Sequence, residues 1–137
     1  MDSSLLYFHS SAGLVLEHTT GHYAELRYLP SKRQPGELAA LLTQLGRLLL
    51  ARGWHKFLSD NRHMTPYSAD EKQWFTSQWL SGAVPHPNPL TGVIILPEDV
   101  VARLSFLEMS MRASEASLRY RTFQKAEEAL VYLNALA

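Results

Sequence analysis

The sequence predicts an α/β domain on one mixed sheet, an N-terminal three-strand meander followed by α-β-α-β-α-β-α. The first third alternates apolar and polar residues between short Gly-bearing turns. From residue 35 onward, leucine-rich stripes at helical spacing alternate with short apolar runs. No repeat, low-complexity tract or linker divides the 137 residues, so a single domain spanning 1–137 is expected. A chain of that length buries a core without disulfides or metals. Its 46% hydrophobic and 19% charged content is that of a globular protein, not a disordered one.

Each element has a local reason. "LLYFHS" (5–10) runs through Ser11-Ala12-Gly13 into "LVLEHTT" (14–20), and a Thr-Thr-Gly turn leads to "YAELRYL" (23–29). In the last of these Ala24, Leu26 and Tyr28 share one face and Tyr23, Glu25 and Arg27 the other, as in a half-buried antiparallel strand. Pro35 suits an early helical position. Leu38, Leu41, Leu42, Leu45, Leu48 and Leu49 then form a helical stripe, which Gly53 ends with a left-handed cap. "WHKFLSD" (54–60) is the next strand. "SADE" (68–71) is a capping box in which Ser68 accepts from the Glu71 amide and Glu71 reaches back. It opens a helix through "WFTSQWL", with Phe75 and Trp79 one turn apart.

Pro85, Pro87 and Pro89 make 82–92 an irregular loop, where His86 reads as exposed. "VIILPE" (93–98) has the continuous apolar look of a strand covered on both faces. Pro97, Glu98 and Asp99 start a helix, the acidic pair favouring its positive end. Its expected inward face is Val100, Val101, Leu104, Leu107 and Met111, which leaves Phe106 and Met109 at its flank, either as a candidate partner surface or as part of a wide stripe on a largely buried helix. "LRYRTF" (118–123) is the last strand. The closing helix turns Ala126, Ala129, Leu130, Leu133 and Leu136 inward.

Composition narrows the function classes. Thirteen basic residues balance thirteen acidic ones, and no basic run exceeds the two of Lys32-Arg33. Nucleic-acid binding and polybasic membrane anchoring both need concentrated positive charge, so neither is expected. The absence of cysteine removes thiol nucleophiles, disulfides and Cys-type metal sites. The N-terminal apolar run, Leu5 to Phe8, is too short for a signal peptide, and no stretch is long enough to span a membrane. A cytoplasmic location is expected.

The residues that draw attention lie in "SDNRHMTPYSADE" (59–71). Ligands in open α/β sheets settle outside the carboxyl ends of parallel strands, beside helix N-termini. Asp60, Asn61, Arg62, His63, Thr65 and Ser68 fall there if residues 54–60 form a strand. Arg62 could hold a carboxylate or phosphate through two parallel hydrogen bonds. The alternative is a polar turn in which Asp60 caps amides, Arg62 pairs with a neighbouring carboxylate and His63 is solvated. Trp54, Trp74, Phe75 and Trp79 read first as core; Trp74, Phe75 and Trp79 could instead wall an apolar pocket beside loop 82–92. His18 and His22, four apart across a turn, read as surface residues without a third metal ligand. No nucleophile elbow, phosphate loop or zinc motif is present, so no catalytic residue and no enzyme is expected.

The closing "YRTFQKAEEALVYL", with Phe123 ending a strand and Ala129, Leu130 and Leu133 filling the helix, resembles the end of STAS and SpoIIAA-like domains. "GWHKFLSD" resembles the strand that in that family runs to an Asp at its carboxyl end, and the element order fits over nearly the whole chain. The resemblance implies a non-enzymatic regulatory or ligand-sensing domain without cofactor, acting through its strand-end loops on a protein partner or small molecule. Members of the regulatory type are switched by phosphorylation of a Ser directly after the strand-end Asp. Here Asp60 is followed by Asn61 and Arg62, Ser59 precedes it and Thr65 comes five later, so that switch is not expected. A related branch shares the fold with CRAL-TRIO lipid carriers. It implies an apolar-ligand carrier as the alternative, with its pocket between the Trp74–Trp79 helix and loop 82–92. An enzyme of unknown class stands third, and a homodimer is left open.

Overall fold

A computed structural model of the chain describes residues 4–113 and 118–136. Three strands open the fold, β1 (Ser4–His9), β2 (Gly13–His18) and β3 (Tyr23–Tyr28), joined by short turns into an antiparallel meander. Then α1 (Glu37–Arg52), β4 (Lys56–Asp60), α2 (Ala69–Trp74), β5 (Leu90–Ile95), α3 (Val100–Ala113), β6 (Leu118–Phe123) and α4 (Ala126–Ala135) follow. The six strands lie side by side in chain order, and β3 to β6 run parallel. Fold class and element order are those the sequence predicts.

The sheet is covered unequally. The buried sides of α1, α2 and its continuation, and α3 join Val15, Ala24, Leu26, Phe57, Ile94 and Leu118 in one core. On the other face, Ala129 and Leu133 of α4 pack with Tyr23, Leu58, Val93 and Ile95. Ile94 thus points into one core and its neighbours Val93 and Ile95 into the other, which is why β5 is apolar without a break. Lys56 fastens α4 from the far end of β4, its Nζ donating to the carbonyls of Leu133 and Leu136 at 2.9 and 3.0 Å. A cation at a helix C-terminus meets the carbonyls that lack an intrahelical partner.

Local signals explain most element ends. The six leucines expected to face inward from α1 are all buried, and Gly53 takes φ +70 as its left-handed cap. Gly36, at φ +86, precedes the first helical residue, so Pro35 lies just before the helix and not within it. Both bonds of the capping box form, Glu71 N donating to Ser68 Oγ at 3.1 Å and Ser68 N to Glu71 Oε1 at 2.9 Å. Beyond Trp74 the helix widens into a π-helical segment, Phe75–Leu80, where Thr76 Oγ1 donates to the Lys72 carbonyl at 3.1 Å.

Two expectations are corrected. Phe106 and Met109 are buried together with Ala102, Ser105 and Ala113, whereas Val100, Val101 and Leu104 are 62–63% exposed and Met111 74%. The helix is turned by about half a rotation from the expected orientation because its other side makes specific contacts. Ser105 Oγ accepts from the Tyr67 amide at 2.9 Å, and the Phe106 ring stacks on Tyr120 with centroids 6.3 Å apart. Small Ala102 and Ala113 let that side approach the sheet. The loop expected over 82–92 gives way to β5 at Leu90, and it is not open beside the Trp74–Trp79 helix. The His86 ring lies against Trp79, tilted by 45° with centroids 4.5 Å apart, and bonds its carbonyl through Nε2 at 2.9 Å, and Val84 N donates to the Gln78 carbonyl. A Cβ at Gly46 would collide with the Pro85 carbonyl, so the loop also lies tight on α1.

Trp79 is fully buried, and its Nε1 donates to the Tyr120 hydroxyl at 3.3 Å. Trp79→Ala is expected to cost roughly 3–5 kcal/mol, read as a lowered urea midpoint.

Candidate functional site at the carboxyl rim of the sheet

Parallel strands β3, β4 and β5 deliver their carboxyl ends to one rim, where loops 29–36, 61–68 and 96–99 meet. The segment 59–71 therefore lies where expected. Asp60 ends β4 opposite Arg27 of β3 and Ile95 of β5, and is itself buried. Its carboxylate belongs to Arg62, with Oδ1 accepting from Arg62 Nε at 2.9 Å and N at 3.2 Å, and Oδ2 from Nη2 at 2.8 Å. Burial pushes the Asp60 carboxyl up, but the Arg62 hydrogen bonds and charge outweigh it and hold the group below its ordinary value. Arg62 is thus engaged by its own loop and does not stand free to clamp an anion.

The other residues of the loop divide by exposure. Asn61 is fully buried, tied by its amide to the Ile95 carbonyl at 3.1 Å and by Oδ1 to the Ser59 hydroxyl. Its Nδ2 has no hydrogen-bond partner among the described residues. Thr65 Oγ1 donates to the Ser31 carbonyl at 3.4 Å, and Ser68 caps α2. His63 is exposed, its Nδ1 3.7 Å from Glu98. The Arg62 carbonyl accepts from the Glu98 amide at 3.1 Å, which joins this loop to the start of α3.

The residue that organises the rim is Arg33, which the sequence marks only as half of its longest basic run. Its side chain is 2% exposed. Nε donates to Glu71 Oε2 at 2.7 Å, and Nη2 to Glu71 Oε1 at 3.1 Å and to the Thr65 and Pro66 carbonyls at 3.0 Å each. The guanidinium lies over the rings of Tyr28 and Tyr67, 5.5 and 5.2 Å from their centroids. Those two hydroxyls share a hydrogen bond of 2.8 Å, and burial raises both phenols above their ordinary value. Burial also works against the Arg33 charge, yet Glu71 and the two phenols more than compensate. Nothing in residue spacing brings Arg33, Glu71, Tyr28 and Tyr67 together; only the topology does.

Beside this clamp a cleft of about 480 Å³ opens between the starts of α1 and α2, lined among others by Lys32, Arg33, Leu38, Ser68, Glu71 and Trp74. The helix α1 enters it with Gly36 as N-cap, which offers no side chain to its first amides. Trp74 is half-buried at this wall, whereas Phe75 and Trp79 belong to the core. Of the three expected to wall an apolar pocket, only Trp74 lines the cleft, because Phe75 is buried in the core and Trp79 is covered by His86.

The remaining candidates are dispersed. His55 sits at the amino end of β4, with Nδ1 2.9 Å from the Pro89 carbonyl. Among the described residues neither His55 nor His63 is bonded to Asp60, whose carboxylate bonds run to Arg62. His18 is buried and not on the surface, 2.8 Å from Glu25 Oε1 and stacked on Tyr23, because β2 and β3 place those side chains together. His22 is exposed at φ +57 and stacks on Trp54. Among the described residues no three His, Asp or Glu side chains are placed to hold a metal ion, and no helix is long and apolar enough to cross a membrane.

Comparison with family models, curated proteins and solved structures returned no match.

Two measurements check this site. Glu71→Gln strips the buried Arg33 of its counter-charge and is expected to destabilise the fold by about 3 kcal/mol in urea unfolding. The second concerns acid. A carboxyl held low in the folded state stabilises fully above its unfolded value, about 3.9 for Asp, and that contribution is lost as pH falls through the folded value. The difference in stability between the natural chain and Asp60→Asn is therefore expected to shrink as pH drops below about 4 and to stay constant above about 5.

Proposed function

We propose that the chain is a non-enzymatic, STAS-like binding domain that engages a partner protein through the carboxyl rim of its sheet and the adjoining outer side of α3. The observation that carries this reading is the exposure of Val100, Val101 and Leu104, each 62–63% open, on the first turns of a helix that starts at the rim. Soluble monomers rarely leave several large aliphatic side chains adjacent and exposed unless something covers them. The polar margin is supplied by Arg62, His63 and Glu98, already joined by the Glu98 amide and the His63–Glu98 contact. An apolar centre with a polar margin is the anatomy of a protein interface. The surface expected on α3 is kept, but Phe106 and Met109 are replaced by the opposite side of the helix.

A second reading, a small ligand held in the cleft beside Arg33, is favoured by the half-buried Trp74 and Leu38 in its wall. It differs from the lipid-carrier expectation in location, since the place foreseen for that pocket is filled by loop 82–92.

The double variant Val101→Ser/Leu104→Ser separates the readings. Under the partner reading it retains natural thermal stability but loses at least about tenfold in affinity for the protein recovered with the natural chain. Under the ligand reading, native mass spectrometry finds a bound small molecule in both forms. Equal recovery of the same partner by both forms, with no bound molecule, rejects both readings.

A further inference from the structure

We propose that the chain pairs with a second copy of itself, β1 against β1 in antiparallel fashion about a two-fold axis, to extend the sheet. The inference starts from the difference between the two sheet edges. At one edge, β6 exposes Arg119 and Arg121, the charges with which natural sheets discourage further pairing. At the other, among the described residues, β1 pairs only with β2, and its six residues, SLLYFH, include no Lys, Arg, Asp or Glu. Leu5 and Leu6 are 56% and 57% exposed and Tyr7 is 40% exposed. The one blunting device on this strand is a bulge at Tyr7, between Leu6 and Phe8.

A row of backbone donors and acceptors at an edge is satisfied best by another strand. Charge selects the second copy as that strand. Antiparallel self-pairing brings each half of β1 against the other half, so its one titratable residue, His9 at the end of the strand, faces the opposite end of the partner strand, and no Lys, Arg, Asp or Glu of β1 is set against a like charge. The formal net charge of zero removes the long-range repulsion that keeps charged proteins apart. The geometry also closes. A two-fold contact uses the same edge on both copies and leaves the arginine-bearing β6 strands outermost, so assembly stops at two.

The outer face of the meander adds apolar surface near the axis. There Leu6 stands opposite Leu16, and Leu14 opposite His9, while α4 lies over β4, β5 and β6. Six-residue strands with their flanking side chains fall short of the roughly 1,600 Å² of a standard interface, so the dimer is expected to be concentration-dependent. The proposal is independent of the α3 surface, which adjoins β6 and the π-helical segment away from β1.

Sedimentation equilibrium between about 5 and 200 µM tests it. The natural chain is expected to rise from the mass of one chain toward that of two. Leu5→Lys/Leu6→Lys should stay at one chain with its melting temperature unchanged, a loss of at least about tenfold in association. Val101→Ser/Leu104→Ser should dimerise as the natural chain does. A natural chain that is monomeric throughout overturns the proposal, as does dimerisation of the Lys variant or loss of the dimer in the α3 variant. Should the Lys variant fail to fold, hydrogen exchange on the natural chain decides. Slower exchange at residues 4–9 with rising concentration supports the pairing, and unchanged exchange there overturns it.

Discussion

The carboxyl rim depends on the burial of Arg33 between Tyr28 and Tyr67 and its bidentate bond to Glu71. Arg33 is the main tie between loop 29–36 and loop 61–68, reaching from the first to two carbonyls of the second and to the first turn of α2, beside the longer Thr65 hydroxyl bond to the Ser31 carbonyl. A buried charge of this kind is stable only when its hydrogen-bond donors are largely occupied and its counter-charge is close. Glu71 supplies the counter-charge and accepts from Nε and Nη2, while Nη1 is buried with no hydrogen-bond partner among the described residues; Glu71 Oε1 also accepts the Ser68 amide. One carboxylate therefore starts a helix and fixes a loop. The cleft between α1 and α2 has a rigid wall for this reason, and the strand-end loop is held in a single arrangement.

Unequal covering of the sheet follows from topology. Because β3 to β6 succeed one another in chain order, the intervening helices lie on one face, and the closing helix alone takes the other. A ten-residue helix spans only part of a six-stranded sheet, and α4 lies over β4 to β6. On the outer side of the meander a buried ion-paired seam, in which Glu25 bonds both His18 and Arg27, takes the place of a helix. The aliphatic residues of β1 sit beyond that seam, at the edge.

Much of this architecture was legible in the sequence because it is encoded locally. The six leucines of α1, the left-handed Gly53 and the Ser68–Glu71 box each depend on residues within one or two helical turns. The position of Asp60 at the carboxyl rim was equally legible, since it needs only a strand assignment. Arg33 was not, because its partners lie 32 to 38 positions away and its value comes from burial that no local pattern reports. Loop 82–92 misled for a related reason. Three prolines make a segment irregular, but His86 and Val84 still bind it to the π-helical segment and so fill the pocket that irregularity appeared to leave.

The helix α3 shows how such a misreading arises physically. It carries two apolar stripes, one of aliphatic residues and one of small residues with Phe106 and Met109. Counting hydrophobic surface favours the first, which would bury more area. Packing favours the second, because Ala102, Ser105 and Ala113 allow close approach while Phe106 meets the Tyr120 ring. The same contact draws Tyr120 toward Trp79, whose indole N–H it accepts, so the orientation of α3 is coupled to the centre of the core. Turning the helix to hide Val100, Val101 and Leu104 would break the Ser105 bond to the Tyr67 amide and empty the space that Phe106 fills. Their exposure is thus enforced by the core and is not a local accident, and among the described residues nothing covers them.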